Sequence, residues 1–151
     1  MARLLIVHHT PSPSTHTLLD AVRSGATDPQ IVGVDVVVRA ALEATAVDVL
    51  ESDGYLLGTP ANLGYMSGAL KHFFDTIYYP CLEATTGRPF GMWIHGNNDT
   101  GGARLAIERI VTGLRWQSAA APLEVVGEPA RVTLDAAHEL GATVSATLSV
   151  A

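Results

Sequence analysis

The chain has 151 residues, 48% of them apolar and 16% charged, with a formal charge of −6. That is the size of one domain with enough apolar material for a core, so a disordered tail or a disulfide-stapled miniprotein is excluded. The acidic balance lacks the basic stripe that nucleic acid requires, and no apolar run reaches the roughly 20 residues that span a bilayer. A single domain over residues 1–151, with neither nucleic acid nor membrane as partner, is the expectation.

The chain opens directly on an apolar run, Leu4 to Val7, without the anatomy of a signal peptide. Such a run reads as a strand buried on both faces. With a single cysteine, Cys81, the sequence fits a reducing, cytoplasmic setting. The first strand ends in His8-His9 and then Thr10-Pro11-Ser12-Pro13-Ser14-Thr15-His16-Thr17, where two prolines forbid a helix. Ser14 or Thr15 is the expected N-cap of a first helix that buries Leu18, Leu19 and Val22 and stops at Gly25. Val32, Val34, Val36 and Val38 alternate with Gly33, Asp35 and Val37, the pattern of a half-buried or edge strand. A weaker helix follows from about Leu42 to Leu50, with Leu42, Ala46, Val49 and Leu50 on one side.

A third strand, Tyr55-Leu56-Leu57, runs into a glycine-punctuated loop from Gly58 to Met66. From Ser67 onward Leu70, Phe73, Phe74, Ile77 and Tyr78 form the stripe of a helix lying on a core. Pro80 to Pro89 reads as a connection, and Phe90-Gly91-Met92-Trp93-Ile94 as the fourth strand. It ends in His95-Gly96-Asn97-Asn98-Asp99-Thr100-Gly101-Gly102, before a helix with Ala103, Ile107, Ile110, Val111 and Leu114 as its stripe. A fifth strand lies within Ala119 to Val126, where Pro122 is tolerable mainly on an edge. Thr133 is the expected cap of a last helix with Ala137, Leu140, Val144 and Leu148 facing inward.

Five strands alternating with five helices imply an α/β doubly wound, three-layer sandwich around a five-stranded parallel sheet. Placing the two interrupted strands, the second and fifth, at the edges gives the order 2-1-3-4-5. In such a sheet a ligand sits beyond the carboxyl ends of the strands where the order reverses, here between the first and third. The loops after strands one, three and four are the polar ones, and all three should meet at that end. The first offers the hydroxyls of Thr10, Ser12, Ser14 and Thr15, with Thr17 just inside the helix, and holds no lysine or arginine. Hydroxyls beside a helix N-terminus suit a phosphate monoester that is held and not transferred. The lysine of a phosphate-transferring G-x-x-x-x-G-K-[ST] loop is absent.

Thr10 to Thr15 resembles the phosphate loop [ST]-x-[ST]-G-x-T of flavodoxin-like proteins. Gly58 to Gly68, with Leu70-Lys71-His72-Phe73-Phe74-Asp75, resembles the second flavin loop of one branch of that family. That branch comprises the NADPH-dependent FMN reductases and the NAD(P)H:quinone oxidoreductases (WrbA-like), and flavodoxin itself has the sheet order given above. The resemblance implies FMN held without a covalent bond. Thr10, Ser12, Ser14, Thr15, His16 and Thr17 would surround the phosphate, and Pro60, Ala61, Asn62, Leu63, Gly64 and Tyr65 would lie along the ring. His95, Gly96, Asn97, Asn98, Asp99, Gly101 and Gly102 would meet its pyrimidine edge. The flavin carries the chemistry, so no catalytic side chain and no metal is expected. NAD(P)H would be the reductant, a quinone, flavin or similar small molecule the acceptor, and a second subunit in a homodimer the lid. Two departures stand out: Pro13 replaces the usual glycine, removing an N–H and fixing φ, and the chain lacks room for the quinone reductases' insertion after the fourth strand.

Other chemistry is less well served. The six histidines show neither H-E-x-x-H nor H-x-x-E-H spacing, and Cys81 has no neighbouring base in the sequence. A phospho-receiver domain needs an aspartate where Gly58-Thr59 stands. Two functions remain: an NAD(P)H-dependent FMN oxidoreductase, favoured by the second loop and by the lack of a dense acidic face, and a flavodoxin-type electron carrier docking on redox partners. A relative that has lost flavin is the third reading, kept open by Pro13.

Overall fold

β1 (Ala2–His8) lies between β2 (Val34–Ala40) and β3 (Gly54–Asn62), parallel to both. The computed structural model describes residues 1–150. β3 pairs in parallel with β5 (Pro89–Gly96), and the outer edge of β5 carries two short strands, β6 (Gln117–Ser118) and β7 (Leu123–Val126). β4 (Tyr65–Met66) folds back antiparallel on the end of β3. The main order is therefore β2-β1-β3-β5 followed by β6 and β7, the expected 2-1-3-4-5 with its last strand split.

Alternation along buried strands feeds two cores. Leu4, Ile6, Leu56 and Trp93 pack with α1 (Pro13–Ala26) and α5 (Arg131–Ala146) on one face. Leu5, Val7, Leu57 and Ile94 pack with α3 (Gly68–Cys81), α4 (Gly101–Leu114) and the short α2 (Ala46–Leu50) on the other. Each large side chain so buried contributes about 1.5–3 kcal/mol. α1 and α5 approach closely because a Cβ on Gly25 would run into the His138 carbonyl, and one on Gly141 into that of Val22. Gly58 likewise leaves the space that the Trp93 ring fills.

Several expected boundaries move, each for a local reason. α1 starts at Pro13, capped by Ser12 and not by Ser14 or Thr15, because a proline at the first helical position lacks only an N–H the helix does not use. Gly25 lies inside α1 as a packing contact and does not stop it. β2 begins at Val34, after Gly33 turns at φ +83°, and runs on to Ala40. α2 begins only after Thr45, whose side chain and that of Asp48 form a reciprocal cap, so Leu42 is exposed. β3 continues through the stretch read as loop. The Gly58 carbonyl accepts from His9 N–H, and two residues on, Pro60 points to the same side, where β1 has ended and no donor is needed.

α3 runs through Pro80 to Cys81, and β5 extends from Pro89 to Gly96, so His95 and Gly96 belong to a strand. The fifth strand breaks at Ala119–Pro122, with Gln117–Ser118 outside the expected range. α5 starts at Arg131 after an Ala130 N-cap that makes no side-chain bond, which puts Thr133 within its first turn. Among the described residues no helix is long and apolar enough to cross a membrane, and no three His, Cys, Asp or Glu side chains come together as a metal site.

Candidate functional site

Three chain segments converge at the carboxyl end of the sheet, around the switch between β1 and β3. Pro11, Ser12 and Ser14 at the start of α1, Pro60, Ala61 and Asn62 at the end of β3, and His95, Gly96 and Asn97 at the end of β5 enclose a cavity of about 270 Å3. A second cavity of about 360 Å3 shares Ala61 and Asn97 with it and is completed by Leu63, Gly64, Asn98 and Asp99. No lysine or arginine lines either.

Local hydrogen bonding decides which groups face a ligand. Ser12 Oγ accepts the Thr15 N–H at 3.2 Å, and Thr15 Oγ1 accepts the Ser12 N–H at 3.0 Å while donating to the Ser12 carbonyl. Thr15 is thus buried and spent on capping α1. Thr17 Oγ1 donates back to the Pro13 carbonyl at 2.8 Å, and exposed His16 sits 3.3 Å from Asp20. Thr10 Oγ1 lies 3.1 Å from His8 Nδ1, beside a separate cavity of about 310 Å3 between the ends of β1 and β2. Burial, with His16 and His9 nearby, lowers the pKa of His8. Of the six residues expected around a phosphate, only Ser12 and Ser14 line the three-segment cavity. Ser14 Oγ has no partner among the described residues.

The second segment is a hairpin. Leu63 and Gly64 form its turn at φ 51° and 76°, and β4 pairs Tyr65 with Asn62. Thr59 Oγ1 accepts the Ser67 N–H at 3.0 Å, and Ser67 Oγ accepts that of Leu70, so the hairpin base is tied to the start of α3. Tyr65 is partly exposed and lines neither cavity. The third segment is held from beneath: Asp99 Oδ1 accepts the Gly101 N–H at 2.9 Å, and Thr100 Oγ1 donates to Glu124 Oε1 at 3.0 Å. Gly102 packs where a Cβ would strike the Gly64 carbonyl, which brings α4 against the hairpin. Gly101 and Gly102 therefore shape the wall from behind.

His95 is only 8% exposed and its Nε2 lies 2.8 Å from the Gly127 carbonyl. Pro11 also lines the cavity, a role whose only signal in the sequence is its place between two hydroxyl residues. The buried Cys81 thiol, raised by burial, lies away from the site against the Ala46 carbonyl. The arrangement can hold an anion beside the first turn of α1 and a flat body between the hairpin and residues 97–99.

No protein-family model matches the chain. A flavodoxin of Aquifex aeolicus (strain VF5) is 34% identical over 77 residues, which is 51% of this chain and 40% of that protein. The chain thus spans well under half the length of the curated relative it matches. A flavodoxin from the domain Archaea superposes with a TM-score of 0.83 at 16% identity, covering 97% of this chain and 98% of that one. A flavodoxin, WrbA-like protein from Agrobacterium tumefaciens gives 0.76 at 17% identity, with 98% of each chain covered. The chain has the flavodoxin fold, with the helices flanking a parallel sheet in that fold's order.

Proposed function

We propose that the chain binds FMN and works as a flavodoxin-type electron carrier between redox partners. The observation that carries this reading is the pair of adjacent cavities at the switch point, with hydroxyls at the α1 end and a hairpin flanking the other. The residues fit such a cofactor: the unpartnered Ser14 hydroxyl in the first turn of α1 suits a phosphate, and a cavity without fixed cations suits one that is not transferred. FMN, when bound, supplies the redox chemistry. Ser14 and the N-terminal turn of α1, which Ser12 caps, would hold the phosphate. Pro60, Ala61, Asn62, Leu63 and Gly64 would lie beside the ring, with Asn97, Asn98 and Asp99 at its edge, excluding water from one side and orienting the ring for a partner.

The carrier reading is supported by a curated relative named a flavodoxin and by structural neighbours that are mostly flavodoxins by name. The oxidoreductase reading, with NAD(P)H as reductant and a small-molecule acceptor, rests on the second-loop motif and the WrbA-like neighbour. The test is to soak the purified protein with FMN, desalt it and record the visible spectrum. A bound yellow cofactor that takes up electrons in two separate steps by potentiometry, and is not reduced rapidly by NADPH or NADH in stopped flow, supports the carrier. Rapid hydride uptake selects the oxidoreductase. A colourless protein after soaking at high micromolar FMN ends both.

A further inference from the structure

The wall of the cavity at the α1 end contains one titratable side chain, His95. Strand parity explains its place. Trp93, two residues earlier on β5, packs on the α1 and α5 face, so His95 lies on that same face one step nearer the carboxyl edge. Register sets it beside Pro60, and the first turn of α1 completes the wall with Ser12 and Ser14. The residue as a whole is more than nine-tenths buried. Its Nε2 faces the Gly127 carbonyl, and a carbonyl can only accept, so Nε2 carries a hydrogen. Nδ1 has no partner among the described residues and is not a buried unsatisfied atom, so it keeps some accessible surface on a residue that lines the cavity.

We propose that His95 is the group that recognises the phosphate end of the ligand, with Nε2–H anchored on Gly127 and Nδ1–H, present in the imidazolium form, donated to a phosphate oxygen. This rests on the FMN reading and moves His95 from the ring edge, where the sequence resemblance put it, to the phosphate. The chemistry follows from the fixed tautomer. A neutral ring so anchored presents a lone pair to the phosphate oxygens, which is repulsive, whereas the protonated ring presents a charge-assisted donor. It would be the cation that the loop itself lacks. Toward the carboxyl edge, the charged and titratable groups on the elements packed around it are His8 at the end of β1, His9 just after it, His16 and Asp20 on α1, Asp99 after β5, Glu124 on β7, Glu128 after β7 and Arg131 at the start of α5. Glu124 is engaged by Arg104 and Thr100, His16 faces Asp20, and none of these groups lines the cavity.

The test compares FMN with riboflavin, which lacks the phosphate, by fluorescence titration of wild type and His95→Gln at about pH 6 and about pH 8. The glutamine amide keeps a donor for Gly127 while removing the titration. In wild type the preference for FMN over riboflavin should fall about tenfold between the two pH values relative to the variant, the difference between a charge-assisted bond and none. Riboflavin affinity should be the same in both proteins. Equal pH dependence in wild type and variant overturns the proposal. A second readout is the NMR titration of the His95 ring in wild type: its midpoint should rise with FMN or inorganic phosphate and stay put with riboflavin. A midpoint indifferent to both phosphates overturns the proposal even if the variant fails to fold. Should neither flavin bind, the FMN reading falls, and inorganic phosphate alone decides the cradle: a raised midpoint upholds it, an unmoved one removes it.

Discussion

The two ends of this sheet are finished in opposite ways. At the amino end the polar groups satisfy one another. Arg88 Nη1 lies 3.2, 3.0 and 2.7 Å from the carbonyls of Val49, Leu50 and Ser52, and Tyr55 Oη donates to Val49 O at 2.6 Å. Trp116 stacks on Tyr55 with ring centroids 4.1 Å apart and donates its Nε1–H to Thr85 Oγ1 at 2.8 Å. At the carboxyl end Ser14 Oγ, His95 Nδ1 and the exposed Asn97 and Asn98 side chains have no partner among the described residues, and the surface opens into cavities. A saturated end holds the fold; an unsaturated end is available to a ligand.

That contrast breaks most visibly at Trp116. Truncation to alanine removes the stacked ring and leaves a cavity beneath Tyr55, so Trp116→Ala should lose about 3–5 kcal/mol in urea unfolding. FMN affinity of the folded protein should be unchanged. Affinity that falls in step with stability would mean that the two ends are coupled and not independent.

The same end carries a pH signature. Burial pushes the Tyr55 hydroxyl up to about 12, with Arg88 opposing the shift, against about 10 in an unfolded chain. The folded state holds that proton more tightly, so its contribution is fully present below about pH 10 and is lost as pH rises toward about 12. The loss should be on the order of 2 kcal/mol across that window. Tyr55→Phe, compared with wild type by urea unfolding at several alkaline pH values, should lack this slope.

The cores were legible because burial imposes periodicity, whereas the Arg88, Tyr55 and Trp116 network at the amino end was not. The continuous run at Leu4–Val7 and the stripe at Leu70, Phe73, Phe74 and Ile77 fall where the structure buries them. Composition misled where tertiary register overrides it. Gly58-Thr59-Pro60-Ala61-Asn62 reads as loop, yet pairing of Gly58, Thr59 and Pro60 with Trp93, Ile94 and His95 makes it strand. The start of α2 had a readable signal in the Thr45 and Asp48 pair, whereas the bare Ala130 cap of α5 had none. At the site, three converging segments could be read from their polarity. The self-capping of Ser12 and Thr15 and the anchoring of His95 on Gly127 depend on contacts that no local pattern encodes.

A smaller effect sharpens the open end. Pro11 and Pro13 together remove two N–H groups from the segment that leads into α1. Pro13→Gly restores one of them and should tighten FMN several-fold in fluorescence titration, the worth of one added hydrogen bond. It should also cost about 0.4–1 kcal/mol of stability through the freer unfolded chain. Tighter binding at a small cost in stability contrasts with Trp116, where stability falls steeply and affinity stays unchanged.

The smallest effect lies at the hairpin turn. Leu63 adopts φ 51° and is fully exposed, followed by Gly64 at φ 76°. Two central residues at positive φ define the turn type in which Asn-Gly is preferred, and a leucine there carries a steric cost of about 1 kcal/mol. Its side chain is not among the packed core residues, so Leu63→Asn should stabilise the fold by about 0.5–1 kcal/mol in urea unfolding. Because Leu63 also lines the second cavity, FMN affinity should be measured on the same protein. A more stable variant that binds FMN less well identifies an apolar side chain held at a strained position for the ligand, which is how the open end would differ in kind from the closed one. Unchanged stability would show that the turn carries no strain, and that the two ends differ only in how completely their polar groups are paired.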